Sequence, residues 1–264
     1  MLLLEPIHCV VNFPFYKRVP QKTFLATIGY LSFLGLIFSI SMVVAFYVIV
    51  RPHINEATEW LSMSVPTLTL TDGKLSSAVP GPLEIRHPKI EQFAIVIDTD
   101  RTSRVRPEEM EQKKLLAYLT RDAIYVWNTR QVEVLELAKT KNPEPLVMDP
   151  KFYRSIRDLI LKIIYPIAFF TSWLMFMVWK HAAALIYSLL ALLINAIMGG
   201  PLEYPELYKL AVYTQTPVIV LQIVSLFLPD IPLFGLIALL VVGVYLWQAI
   251  RQLRPPSTPE PSPA

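Results

Sequence analysis

The sequence predicts an α-helical membrane protein with about five transmembrane helices and a small α+β, β-rich soluble domain inserted after the first helix. Hydrophobic residues make up 54% of the chain and charged residues only 17%, against roughly 25% charged in soluble domains. Charge-free stretches run from Phe24 to Val50, Ile163 to Trp179, Ala182 to Met198, Leu210 to Leu228 and Ile231 to Ile250. Each is close to or above the roughly 17–25 apolar residues a helix needs to satisfy its own backbone across a bilayer. Between the first and second stretches, Pro52 to Pro150 turns to period-two alternation broken by turn residues, the signature of β structure.

Residues 1–23 form a lead that the reading places in the cytoplasm, with Phe15, Tyr16, Lys17 and Arg18 as an aromatic and basic anchor at the headgroup layer. Residues 24–50 are the first span. Their apolar core far exceeds the roughly 7–15 residues of a secretory signal, so they read as a retained anchor. Cys9 is the sole cysteine, which excludes an intrachain disulfide, and a packed thiol is preferred over a lipidated one.

Residues 51–150 are the soluble domain. Thr67–Leu70 and Leu75–Val79 flank Asp72-Gly73, a pair that supplies the positive φ angles of a tight hairpin. Leu83–Arg86 and Phe93–Asp98 read as further strands, and Pro107 to Lys114 as a helix opened by proline. Leu115–Leu119, Ala123–Trp127 and Val132–Leu137 form a meander turning at Arg121-Asp122 and Asn128-Thr129. Asn142 to Pro150 reads as a proline-stiffened connector.

Residues 151–162 read as an amphipathic juxtamembrane helix whose Phe152, Tyr153 and Arg154 repeat the anchor of the lead. The cluster at 163–250 divides into spans at 163–179, 182–198, 210–228 and 231–250. Lys180-His181 is expected to lie at a membrane face where the chain reverses in a tight helical hairpin, and Gly199-Gly200-Pro201 to stop a helix. The tail at 251–264, rich in Pro, Ser and Thr, is expected to be disordered.

Orientation follows from basic flanks. Lys17, Arg18, Lys22 and Lys180 favour an internal N-terminus and an extracytoplasmic soluble domain, whereas Arg51, Arg154, Arg157, Lys162, Arg251 and Arg254 favour the reverse. The first option is preferred because long domains translocate largely regardless of charge and the first span usually dominates. Five crossings would then leave Arg251 and Arg254 outside. A re-entrant segment at Pro229-Asp230-Ile231-Pro232 would relieve that conflict.

The chemistry-bearing residues are sparse. His8, His53, His87 and His181 are scattered without metal-ligand spacing, there is no phosphate-binding glycine loop, and no cofactor is expected. The small net charge of +3 is placed beside the spans, which argues against nucleic acid. Asp98 and Asp100 are the only paired carboxylates that an enzymatic reading can use, and a strand-terminating turn explains them equally well. Within the spans Asn195, Gln215, Gln222 and Pro217 form a candidate intramembrane polar path, Pro217 by kinking its helix, although interhelical hydrogen bonding is the commoner use of such residues.

Phe15-Tyr16-Lys17, Asp72-Gly73-Lys74-Leu75, Ile97-Asp98-Thr99 and, most specifically, Tyr208-Lys209-Leu210-Ala211-Val212-Tyr213 followed by Thr216-Pro217 carry a resemblance over nearly the whole chain. With them the chain resembles a bacterial multi-span membrane family catalogued as a domain of unknown function, itself similar to five-span YIP-type proteins. The resemblance implies five spans with an extracytoplasmic insert after the first, and it implies no reaction. The arginines after the last span and the proline-rich tail depart from it. The expected function is therefore a non-enzymatic, partner-binding or scaffolding protein of the bacterial inner membrane, in contact with lipids and with a protein partner or a second copy. Transport or lipid handling through the polar path is the alternative.

Overall fold

The computed structural model describes residues 2–89, 94–128, 131–139, 144–229 and 231–254. The chain divides into two compact units, Met1–Ile49 with Ile164–Ala264, and Val50–Ile163. Thr129, Asn142 and the 255–264 tail lie outside the described residues, as do Phe93 and Asp230.

The lead is folded. It forms α1 (Glu5–Val11) and a 3-10 segment, Phe13–Arg18. Next comes α2 (Phe24–Ala45), where the Thr23 hydroxyl accepts from the Ala26 amide at 3.2 Å, satisfying one of the first-turn donors that have no partner within the helix. A π-helical turn, Phe46–Val50, carries the helix into α3 (Arg51–Ser64). The expected end at Val50 is thus corrected. Pro52 falls in the first turn of α3, where its missing N–H costs little, and the helix stops only before Pro66, which forces Val65 into extended backbone.

The β strands match the predicted runs closely. β1 (Leu68–Thr71) and β2 (Lys74–Ser77) form the Asp72-Gly73 hairpin. β3 (Leu83–Arg86), β4 (Ala94–Asp98), β5 (Ala117–Thr120), β6 (Ala123–Asn128) and β7 (Gln131–Glu136) form a five-stranded sheet in that order. Its β4–β5 pair is parallel, and the connection between them carries α4 (Pro107–Gln112). Leu146–Met148, expected as connector, is β8 and pairs with β1, completing a three-stranded sheet β2-β1-β8. The sequence signal was hidden by Pro143, Pro145 and Pro150, which leave room for only three paired residues. One core (Val96, Met110, Leu115, Tyr118, Tyr125) gathers around α4, and a second (Leu68, Leu70, Leu75, Ile85, Ile97, Leu137) joins the two sheets.

The largest correction concerns residues 150–197. These form one continuous helix, α5 (Pro150–Ile197), so the juxtamembrane helix 151–162 and the spans 163–179 and 182–198 are not separate elements, and the chain does not reverse at Lys180-His181. Neither residue breaks a helix, and both face protein. The stripe Lys180, Ala184, Ser188, Ala191 and Asn195 is buried at spacings of one helical face. At about 1.5 Å per residue α5 is about 72 Å long, against a hydrocarbon layer of roughly 30 Å.

The expected stop does occur at Gly199, whose φ of +60° is the left-handed conformation a helix terminus favours. The expected fourth span is present as α6 (Tyr204–Thr214) and α7 (Thr216–Ser225), interrupted just before Pro217, and the fifth as α8 (Phe234–Gln252). Among the described residues four helices are long and apolar enough to cross a membrane: Phe24–Ser64, Pro150–Ile197, Tyr204–Ser225 and Phe234–Gln252.

Within the helical unit the directions alternate. Phe24 packs on Tyr208 and Tyr30 on Tyr213, so α2 and α6–α7 run parallel. Gly35 and Phe38 meet Phe176, and Phe46 meets Tyr165, so α5 runs against α2. Tyr245, late in α8, packs on Phe13 and donates to the Val10 carbonyl at 2.9 Å, so α8 returns to the lead.

Candidate functional site

Of the four candidate path residues, two are occupied by helix packing. The Asn195 amide donates to the Gly200 and Leu202 carbonyls, both at 3.1 Å, and ties down the turn after α5. Gln215 donates to the Lys180 carbonyl (3.4 Å) and the Ala211 carbonyl (3.3 Å), and its Oε1 is buried without a hydrogen-bond partner. Pro217 is buried at the start of α7, where its missing N–H coincides with the break between α6 and α7. Gln222, by contrast, lines a cavity.

That cavity, about 480 Å³, is bounded by α2, α5, α7 and the start of α8. Phe38, Met42, Met175, Phe176, Trp179, Leu226 and Phe234 supply its apolar wall, and Ser172, Gln222, Ser225 and Lys180 its polar groups. Ser172 and Ser225 spend their hydroxyl hydrogens on carbonyls of their own helices. Lys180 is only 5% exposed, and among the described residues no carboxylate lies within ion-pairing distance of it. Its Nζ lies 5.8 Å from the centre of the Phe176 ring, one turn toward the start of α5. The expectation that Lys180 meets headgroups missed it. The missed signal is the one-face spacing from Lys180 through Asn195, which continues straight across the supposed turn.

The anchor residues of the lead are drawn into the helical unit. Tyr16 is fully buried and donates to the Cys9 carbonyl at 2.8 Å. Phe15 packs against Tyr213, while Lys17 and Arg18 stay exposed. Lys22 pairs with Glu5 at 2.7 Å and donates to the Tyr213 hydroxyl at 3.1 Å, and Lys209 Nζ binds the carbonyls of Pro20 and Lys22. Cys9 is buried and accepts from the Tyr30 hydroxyl at 3.3 Å. Burial pushes its thiol up to about 11, with the Tyr30 hydrogen bond opposing. The lead also borders a cavity of about 420 Å³ lined by Glu5, His8, Phe15 and Lys22.

In the β unit, Phe152 and Tyr153 are half-buried, with their rings edge to face, and Arg154 pairs with Glu59 at 2.9 Å. Asp98 and Asp100 do not converge on a histidine or nucleophile among the described residues. Asp98 accepts from the Tyr118 hydroxyl (3.0 Å), which accepts in turn from Arg101 (3.0 Å), and Arg101 grips Glu109 with two bonds of 2.9 Å. The two hydrogen bonds hold the Glu109 carboxyl below the ordinary carboxylate range despite partial burial, and burial raises Tyr118.

One edge of the five-stranded sheet is uncovered. Val134 pairs across from buried Tyr125 and Leu135 across from Ile124, yet they are 52% and 60% exposed. Among the described residues β7 is bonded on one side only, by β6. A cavity of about 520 Å³ adjoins it, bounded by Arg101, Arg104, Thr120, Tyr125, Val134 and Glu136.

No curated protein and no solved structure matches this chain. From residue 7 to residue 250 it matches a family model, and on that extent the chain belongs to the family described as protein of unknown function (DUF1189).

Proposed function

We propose that the protein is a non-enzymatic, partner-binding component of the bacterial inner membrane, and that its β unit takes up an extended segment of another protein along β7. The observation that carries this is the edge strand itself. Among the described residues no strand pairs with its outer row of backbone groups, and Val134 and Leu135 project on opposite faces beyond the cover of either core. Native sheets usually blunt such an edge with lysine, proline or a covering element, and an unblunted edge suits strand addition. Exposed Glu133, whose carboxylate accepts a single hydrogen bond from Asn128, favours an incoming strand that sets a basic side chain among apolar ones.

The same reading places the β unit outside the cytoplasm. Four crossings in alternating directions return α8 to the end where the lead packs, so Arg251 and Arg254 join Lys17, Arg18 and Lys22 on one side. The cost carried by a five-span arrangement disappears. Kinship with five-span YIP-type proteins would then be one of partial topology.

A photo-crosslinking residue at position 134 or 135, in membranes of the native host, tests the reading. The expected product is a protein adduct whose cross-linked peptide is an apolar–basic segment, absent when the probe is moved to exposed Glu108. Adducts from all three positions, or a cross-link to a second copy of this chain, would remove the proposal. The transport alternative is weaker because Asn195 and Gln215 are committed to helix contacts.

A further inference from the structure

We propose that the cavity holding Lys180 binds the carboxylate of a long-chain fatty acid, its acyl chain lying along Phe38, Met42 and Phe234. This site belongs to the helical unit and is independent of the β7 reading.

The argument begins with the cost of the lysine. An ammonium inside the apolar belt is costly, and intramembrane lysines otherwise pair or reach the interface. Lys180 does neither. It is flanked along α5 by charge-free runs, and lipid-facing apolar side chains occur on both sides of it, Ile167, Phe170 and Leu174 before and Leu185, Leu189 and Leu193 after. A helical side chain leans toward its helix N-terminus. Here that lean carries Nζ over Phe176, away from the lead, whose aromatic and basic residues would otherwise be the nearer refuge. Gln222 adds an uncommitted amide on the facing helix.

The rest of the wall is apolar, and a volume of about 480 Å³ lies within the range of small-molecule sites. The ligand chemistry follows from this inventory. One ammonium balances one negative charge, and one amide adds a donor. A phosphate monoester carries about −1.5 to −2 at neutral pH with three acceptor oxygens, and would leave charge and acceptors unmatched. A carboxylate fits the donor set, and the apolar wall requires a chain behind it.

Palmitate is the probe, added to the full-length protein in phosphatidylcholine nanodiscs, with binding read by native mass spectrometry. Saturable binding of one palmitate is expected, tenfold or more weaker in Lys180→Gln and a few-fold weaker in Gln222→Leu. Hexadecanol, with the same chain and no charge, should fail to compete. Maleimide protection of Cys9 checks that each variant is folded, and the hexadecanol comparison uses the wild-type protein alone. Equal binding of palmitate by folded Lys180→Gln, competition by hexadecanol as strong as by palmitate, or preference for hexadecyl phosphate would each overturn the assignment.

Discussion

The rings of Tyr30 and Tyr213 stack with centroids 4.1 Å apart and planes 9° from parallel, locking α2 to α6 at the level where the lead packs. The Tyr30 hydroxyl reaches both Cys9 Sγ and Thr216, and the Tyr213 hydroxyl touches Lys22 and Glu5. The stack therefore holds the first residues of the chain as well as two helices.

Cys9 reports on that clamp. With its thiol buried and pushed up to about 11, maleimide labelling in native membranes should be slow at neutral pH. The thiolate fraction should reach one half only near pH 11, and Tyr30→Ala should speed labelling at least tenfold. Because the folded value is raised, this group contributes its stability below the ordinary thiol value near 9 and loses it as pH climbs toward 11. Unfolding measured across that window should show the decline.

The proposed four crossings predict the side of each terminus and of the β unit. Reporters near residue 120 and after Ala264 should give opposite signals, the second matching an N-terminal reporter. Five crossings would put the C-terminal reporter on the side of residue 120.

Gly73→Ala should destabilise the β unit by about 2 kcal/mol or more. A φ of +74° disfavours any other residue by about 1–2 kcal/mol, and the added carbon would lie 2.8 Å from Ala138 Cα and the Leu137 carbonyl oxygen. Amide exchange in the β1–β2 hairpin should rise accordingly.

Glu109→Gln should cost about 1 kcal/mol, since both partners are only partly buried and solvent screens the pair. The wild-type carboxyl is held below its ordinary value, so its contribution is complete above about pH 4.5 and is lost as pH falls through the depressed value. Acid unfolding followed by exchange in β5 should be steeper in wild type than in the variant.

Gln215→Leu should leave the melting temperature within a few degrees. The loss of two long hydrogen bonds is offset by removing a buried, unpaired Oε1. Gln215→Glu should lower it strongly, because a charge taken out of water at this fully buried position carries a large desolvation cost.

Much of the architecture was legible where local chemistry decides it. Asp72-Gly73 marked the hairpin, Gly199 the end of α5, and Thr216-Pro217 the break between α6 and α7. What stayed hidden was tertiary. Lys180-His181 looks like a turn because charge usually seeks water. Only packing shows His181 against the Tyr208 hydroxyl at 2.7 Å and Lys180 turned inward. The lead resembled a simple surface anchor for the same reason, because nothing local reveals that Tyr16 and Cys9 are enclosed by residues far along the chain. The β7 edge was read as an ordinary strand, since exposure on both faces is a property of its neighbours.

The contact of Val10 and Phe13 with Tyr245 sets an order of events in synthesis. The lead is made before α2, yet part of its docking surface lies in α8, the last of the described helices to be made. Until α8 is inserted, the Phe13 ring and the Val10 carbonyl lack these contacts, although Tyr30 in α2 and Thr216 in α7 can already enclose the Cys9 thiol. Docking of Phe13 against Tyr245 is therefore a late event, and a chain cut before α8 would leave that ring uncovered.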